Sequence, residues 1–236
     1  MIPGAVLFAR YAYPPNALGY CGPSDSLSLA GALRERDVAD LSLLAREFDG
    51  AWPYLKLIAG CNGIADPLDL RVVEAYWVGN DLLHRVPKQA MLSSLDERFA
   101  RRAGPTFPNV ANAVPLGGVP HHSFHVFAVY PWLGLLRAGR QGPALDVLDQ
   151  CRVRWGRVVS VDSDTAVVST STLAFSDSRL VLAEEHEVRA RRLARQEGND
   201  PDLRAGDLVS LHWDWICQTL SPARARRLQG YTRENL

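Results

Sequence analysis

Four cysteines (Cys21, Cys61, Cys151, Cys217) and six histidines are the residues of this chain best suited to ligate metals or act as nucleophiles. Three histidines fall together in His121-His122-Ser123-Phe124-His125. On a helix, His121 and His125, or His122 and His125, share a face and offer two imidazole nitrogens to one metal ion. The Glu of a zinc-protease helix is absent, and Pro120 marks a helix start where the same rings can instead satisfy loop carbonyls. Metal ligation and helix capping both stay open for His121, His122 and His125. Cys21, in Gly19-Tyr20-Cys21-Gly22-Pro23, precedes a helix whose N-terminal dipole would lower a thiol pKa, so it reads as a nucleophile, a ligand or a turn residue. A Cys/His enzyme would use Cys21 or Cys151 as nucleophile and a histidine of the 121–125 cluster as base. No acyl-transfer motif, Gly-rich phosphate loop or dinucleotide fingerprint accompanies them, and no nucleotide is expected.

Balanced charge narrows the partners. Lys+Arg and Asp+Glu number 26 each in 236 residues, so no net field attracts a polyanion and nucleic acid is not an expected partner. The stretch Met1 to Arg10 lacks a basic run before its short apolar segment, a poor signal peptide. The longest apolar run, Phe124 to Leu136, is too short to span a bilayer and contains Pro131. A cytoplasmic location, no membrane partner and free thiols are expected.

The elements that would carry these residues divide near residue 150. The first 22 residues, rich in Tyr, Pro and Gly, suggest an ordered loop or arm rather than a helix. Asp25 or Ser24, and then Asp37, can cap two short helices through Leu29 and Leu33, and through Val38, Leu41 and Leu44. Trp52 to Ala59 reads as a buried helix with Pro53 in its first turn. Another helix starts at Asp66-Pro67 and carries Glu74 among aromatics. Lys88 to Arg102 has Leu92, Leu95 and Phe99 on one face, and a loop, Gly104 to Pro120, follows it. Helices over His121–Arg137 and Pro143–Gln150 complete a mainly helical module, 1–150.

Beyond Gln150 the texture turns β-branched and alternating, as in Val158-Val159-Ser160-Val161 and Thr165-Ala166-Val167-Val168. Short strands parted by turn pairs suggest a small β-barrel. Glu187 to Arg195 leans to a strand. Gly198 to Pro201 is a loop, Asp207 to Trp215 one strand, and Pro222 to Leu236 a terminal helix interrupted near Gly230. The fold class expected is α+β: a mainly α-helical N-terminal domain (1–150), then a small OB-like β-barrel with a C-terminal helix (151–236).

Three segments in order resemble the HypC-type (HypC/HybG/HupF) assembly chaperones of [NiFe] hydrogenase. Cys151-Arg152-Val153-Arg154-Trp155-Gly156-Arg157-Val158-Val159 is similar to their opening Cys, three residues, Pro-Gly and apolar strand, with Trp155 in place of the Pro. Asp162 to Val168 resembles their acidic-turn hairpin. Gly206-Asp207-Leu208-Val209-Ser210-Leu211-His212 resembles their Gly-Asp, strand and His signature, with Asp214 where a Gly is common. The likeness covers the last third of the chain. It implies a maturation chaperone, not an enzyme, that carries iron as a transient Fe(CN)2CO fragment through Cys151 and His212 to the immature large subunit. The large-subunit precursor and other maturation proteins would be its partners. A thiolate and an imidazole suit such cargo. Trp155, Trp213 and Trp215 would wall the site, Asp214 would add a carboxylate, and Cys217 would be a second thiolate or packing. In the family the Cys becomes the first residue, whereas the amine of Cys151 lies within a peptide bond. A protein-interaction module without cargo is the third alternative.

Overall fold

The computed structural model describes residues 2–103, 111–129, 136, 141–177, 179–192 and 203–236. The expected loop at 198–201, the ends of the 104–120 loop and 121–137 helix, and residues 193–195 lie wholly or partly outside them. Helices come first: α1 (Gly4–Ala17), α2 (Ser26–Glu35), α3 (Val38–Leu44), α4 (Trp52–Cys61), α5 (Leu70–Trp77), α6 (Lys88–Ala103), α7 (His122–Phe124) and α8 (Gln141–Cys151). Strands β1 (Arg154–Val161), β2 (Thr165–Ser176), β3 (Arg179–Arg191), β4 (Leu208–His212) and β5 (Trp215–Thr219) follow, then α9 (Pro222–Glu234). The chain is α+β, with a helical N-terminal part and a five-stranded sheet. Among the described residues no helix is long and apolar enough to cross a membrane.

The caps explain several helix starts. The Asp25 carboxylate accepts from the Leu27 N–H, Asp37 from those of Ala39 and Asp40, and Ser221 from that of Arg224, each satisfying donors that a first turn leaves orphaned. Asp66 caps only a turn, and α5 begins three residues later on Asp69. Gly230 does not interrupt α9, which runs through it to Glu234. Leu228 and Tyr231, buried on either side of that glycine, pack into the main core and hold the turn.

The largest departure from expectation is α1. Gly4 to Ala17 is a buried helix, not an arm, and its last turn contains Pro14 and Pro15. Prolines there cannot donate to the carbonyls four residues back, those of Arg10 and Tyr11. Both are served from the sheet: the Cys217 Sγ lies 3.6 Å from the Arg10 oxygen, and the His212 Nδ1 lies 2.6 Å from that of Tyr11. The helix is stable because burial of Val6, Leu7, Phe8 and Tyr11 outweighs propensity. The main buried cluster joins α1, α4 and α5 to Val153, Cys217, Leu220, Leu228 and Tyr231 of the C-terminal part.

The sheet order is β1-β2-β3-β5-β4, with β4 pairing back on β1 and β3 meeting β5 through Arg191↔Trp215. Glu187 to Arg191 is strand, as its alternation suggested. Asp207 to Trp215 is instead two strands of a hairpin, β4 and β5, turning at Trp213-Asp214. The usual Asn-Gly signal is absent. Trp213 takes φ +56° there because its N–H donates to Gln150, the Arg154 guanidinium donates to its carbonyl, and the Tyr20 ring packs on it at 4.6 Å between centroids. Gly156, the glycine of the Cys-containing motif, marks a close approach of β1 to β2, since a Cβ there would meet the Ser169 carbonyl at 2.6 Å.

Candidate metal centre

Three elements converge beneath α1. Cys151 does not open a strand: it is the last residue of α8, and β1 starts at Arg154. His212 ends β4, and His122 opens α7. One donor atom from each of His122, Cys151 and His212 lies within 4.8 Å of the others. All three side chains are buried. They line a cavity of about 30 Å³ with Ala12, Pro15, Cys21, Phe48, Gly50, Tyr76, Trp77 and His125, room for an ion with a water or two.

Backbone connections fix the rings. His212 Nδ1 faces the Tyr11 carbonyl that Pro15 leaves without a helical donor. Its Nε2 lies 2.7 Å from the Cys151 carbonyl oxygen. The His122 Nε2 lies 2.8 Å from the same oxygen, and its Nδ1 is 3.2 Å from the Tyr76 hydroxyl. Cys151 ends a helix, so its carbonyl lacks an intrahelical partner, and the Nε2 atoms of two imidazoles approach it. Trp77 of α5 packs against both rings, 4.5 Å from His122 and 5.4 Å from His212 between centroids.

Burial sets the charge states. It pulls His212 down to about 4, and His122 well below the ordinary imidazole value with His212 adding to the effect, so both rings are neutral near pH 7 and can offer lone pairs. The Cys151 thiol is pushed far up by burial, with Cys21 adding to it. Burial likewise raises Cys21 to about 12, opposite to the expected helix-dipole effect: α2 begins only at Ser26, and desolvation prevails. Neither thiol is activated as a free nucleophile. A bound cation would reverse this balance for Cys151, because a coordinated thiol ionises.

The sequence placed Cys151 and His212 together, and the structure brings them to one cavity. It separates the histidine cluster. His122 joins them. His125 lines the same cavity, its Nδ1 3.4 Å from the Tyr54 hydroxyl. His121 points elsewhere, capping α7 through the Ser123 N–H and stacking on Tyr231 at 4.9 Å. The aromatic wall is Trp77, Tyr76 and Phe48, not Trp155, Trp213 or Trp215: Trp213 sits under Tyr20, and Trp215 meets Tyr13 edge-on. Asp214 pairs with Arg191 at the surface, and Cys217 bonds the α1 backbone. Glu74 pairs with Arg224 of α9 at 2.5 Å. Sequence reasoning missed the joining of His122 to Cys151 and the role of Trp77. The Pro14-Pro15 pair was the available signal that α1 needs donors from elsewhere.

Fold and site together define an α+β protein with a buried His/Cys/His cluster between its helical part and its sheet. Over residues 1–236 the chain matches DUF6390, a family of unknown function, and it belongs to that family. No curated protein and no solved structure matches it.

Proposed function

We propose that this protein is an assembly factor for [NiFe] hydrogenase that holds iron, as the Fe(CN)2CO fragment, at Cys151 and His212 for delivery to the immature large subunit. One observation supports this best: Cys151 and His212, singled out by their likeness to the HypC-type motifs, stand 61 residues apart in sequence yet share one cavity. The self-closing strand order of the sheet is compatible with the OB-like barrel of those chaperones. A thiolate and a neutral imidazole form a soft, transferable ligand pair, and Trp77 shields them from water. Domains 1–150 and 151–236 would divide the work, the first docking maturation partners in the cytoplasm and the second holding cargo. Because the cavity measures about 30 Å³, seating an iron with three diatomic ligands requires its lining to open.

The test is anaerobic purification from cells expressing the maturation machinery, followed by infrared spectroscopy in the cyanide and carbonyl stretching region. Bands present in the wild type and lost in Cys151→Ala are expected. Featureless spectra from both, with no large subunit co-purifying, overturn the proposal.

A further inference from the structure

His212 is held in a contact that a neutral imidazole cannot satisfy. Its two ring nitrogens lie 2.6 and 2.7 Å from two carbonyl oxygens, those of Tyr11 and Cys151, and a neutral ring has one N–H. Pro15 decides which bond is made, since the Tyr11 carbonyl has no helical donor and takes the Nδ1–H. The Nε2 lone pair is left facing the Cys151 oxygen at 2.7 Å. A ring whose Nδ1–H is anchored on a backbone carbonyl while Nε2 stays bare is the usual arrangement of a metal-ligating histidine. His122 reaches the same spot from the opposite side: its Nδ1 meets the Tyr76 hydroxyl, which can donate or accept, and its Nε2 lies 2.8 Å from the Cys151 oxygen.

We infer that His122, Cys151 and His212 form a three-ligand site, two imidazole nitrogens and one thiolate sulfur, for a single divalent ion of borderline softness, zinc or ferrous iron, with His122 as the ligand supplied by the helical part. The inference deepens the carrier proposal, resting on its assignment of Cys151 and His212 as donors, and adds a third ligand and a bare ion. A tetrahedral ion with nitrogen and sulfur ligands needs donor separations of roughly 3.3–3.8 Å, so donors now within 4.8 Å of one another close by at most about 1.5 Å. Both Nε2 atoms exchange the Cys151 carbonyl for the ion. Cys151 loses its proton to solvent, so each ion bound releases one proton. The fourth position faces the cavity that Cys21 also lines and is left for water or an exchangeable ligand. The ion would thus tie α7 to the end of α8 and to β4. A π-helical turn, His125–Val129, directly follows α7, a distortion frequent at functional sites.

The test uses the full chain, reduced, stripped with a chelator and titrated anaerobically with Co2+. A 1:1 complex is expected, with a thiolate-to-cobalt charge-transfer band, intense visible bands of four-coordinate Co2+ and release of one proton. His122→Gln keeps an amide donor for the Cys151 carbonyl but removes the imidazole, and should weaken Co2+ at least tenfold while the chain stays folded by circular dichroism. Tyr76→Phe, which removes the hydroxyl that meets Nδ1, should cost about tenfold. Absence of a 1:1 complex in the wild type, or His122→Gln binding Co2+ as the wild type does, overturns the inference and leaves the two histidines as caps of the α8 carbonyl. Co2+ binding without diatomic infrared bands sinks the carrier proposal alone. Cys151-dependent bands with an indifferent His122→Gln sink this inference alone.

Discussion

Asp149 anchors the end of α8 that presents Cys151, and replacing it should be costly. Its Oδ1 accepts the Leu173 N–H of β2 at 2.8 Å and pairs with Arg152 Nη2 at 3.0 Å, and its Oδ2 lies 3.8 Å from Arg154 Nη1. All three charged side chains are less than a tenth exposed. Burial already pulls the Arg152 guanidinium down to about 10, yet it stays charged near pH 7. Asp149→Ala therefore strands buried positive charge, worth about 3–5 kcal/mol when one partner of a buried pair is removed, and orphans a buried N–H, worth about 1–3 kcal/mol. The two losses share atoms and do not add. Arg152 keeps its bond to the Ser171 carbonyl, so the net loss is placed at about 3–5 kcal/mol. For a chain of this size that lowers Tm by roughly 6–20 °C, at about 2–4 °C per kcal/mol. Urea unfolding followed by tryptophan fluorescence measures it, and Asp149→Asn, which keeps the acceptor for Leu173, should lose less. A loss below about 1 kcal/mol in Asp149→Ala would show that the carboxylate is not what holds this helix end.

Three further outcomes follow from the geometry. Tyr11→Phe removes a buried hydroxyl that bonds Ser210 at 2.7 Å and Gln218 at 2.8 Å, and should cost about 1–3 kcal/mol in urea unfolding; an unchanged midpoint would mean that α1 is not tied to β4 and β5 by this network. Gly79→Ala places a Cβ 2.2 Å from the Tyr231 ring at φ +97°, so a loss of about 1–3 kcal/mol is expected, and a stabilised variant would refute it. Burial holds His121 and His125 down to about 3, while the unfolded chain titrates near 6.5, so below about 6.5 the unfolded state binds more protons. Stability complete above about pH 6.5 should then fall on acidification by about 1.4 kcal/mol per unit for each ring until the folded values are reached, and equal urea midpoints at pH 7.5 and 5.5 for metal-free protein would contradict it.

Helix and strand texture was readable where one signal dominated. Asp37 is a cap on sequence grounds and in space, and of Asp25 and Ser24 the structure takes Asp25, because capping is a local hydrogen bond. The α1 helix was not readable, since two prolines and a run of tyrosines argue for a loop at short range, while the compensating donors, Cys217 and His212, lie over 200 residues away. The β4–β5 turn was missed for the same reason: Trp213 takes a positive φ only because Gln150, Arg154 and Tyr20 hold it.

For the site, only the resemblance to the HypC-type motifs singled out Cys151 and His212, while residue type and spacing identified His121, His122 and His125 as a group able to ligate or cap. Only the tertiary structure decided among those three, turning His121 onto Tyr231 and His122 onto the carbonyl of Cys151. It also reversed the expected behaviour of the Cys21 thiol. Chemical identity is written in the chain, but direction, burial and tautomer are set by neighbours that the fold brings from far along it, and those three properties determine what an imidazole or a thiol can hold.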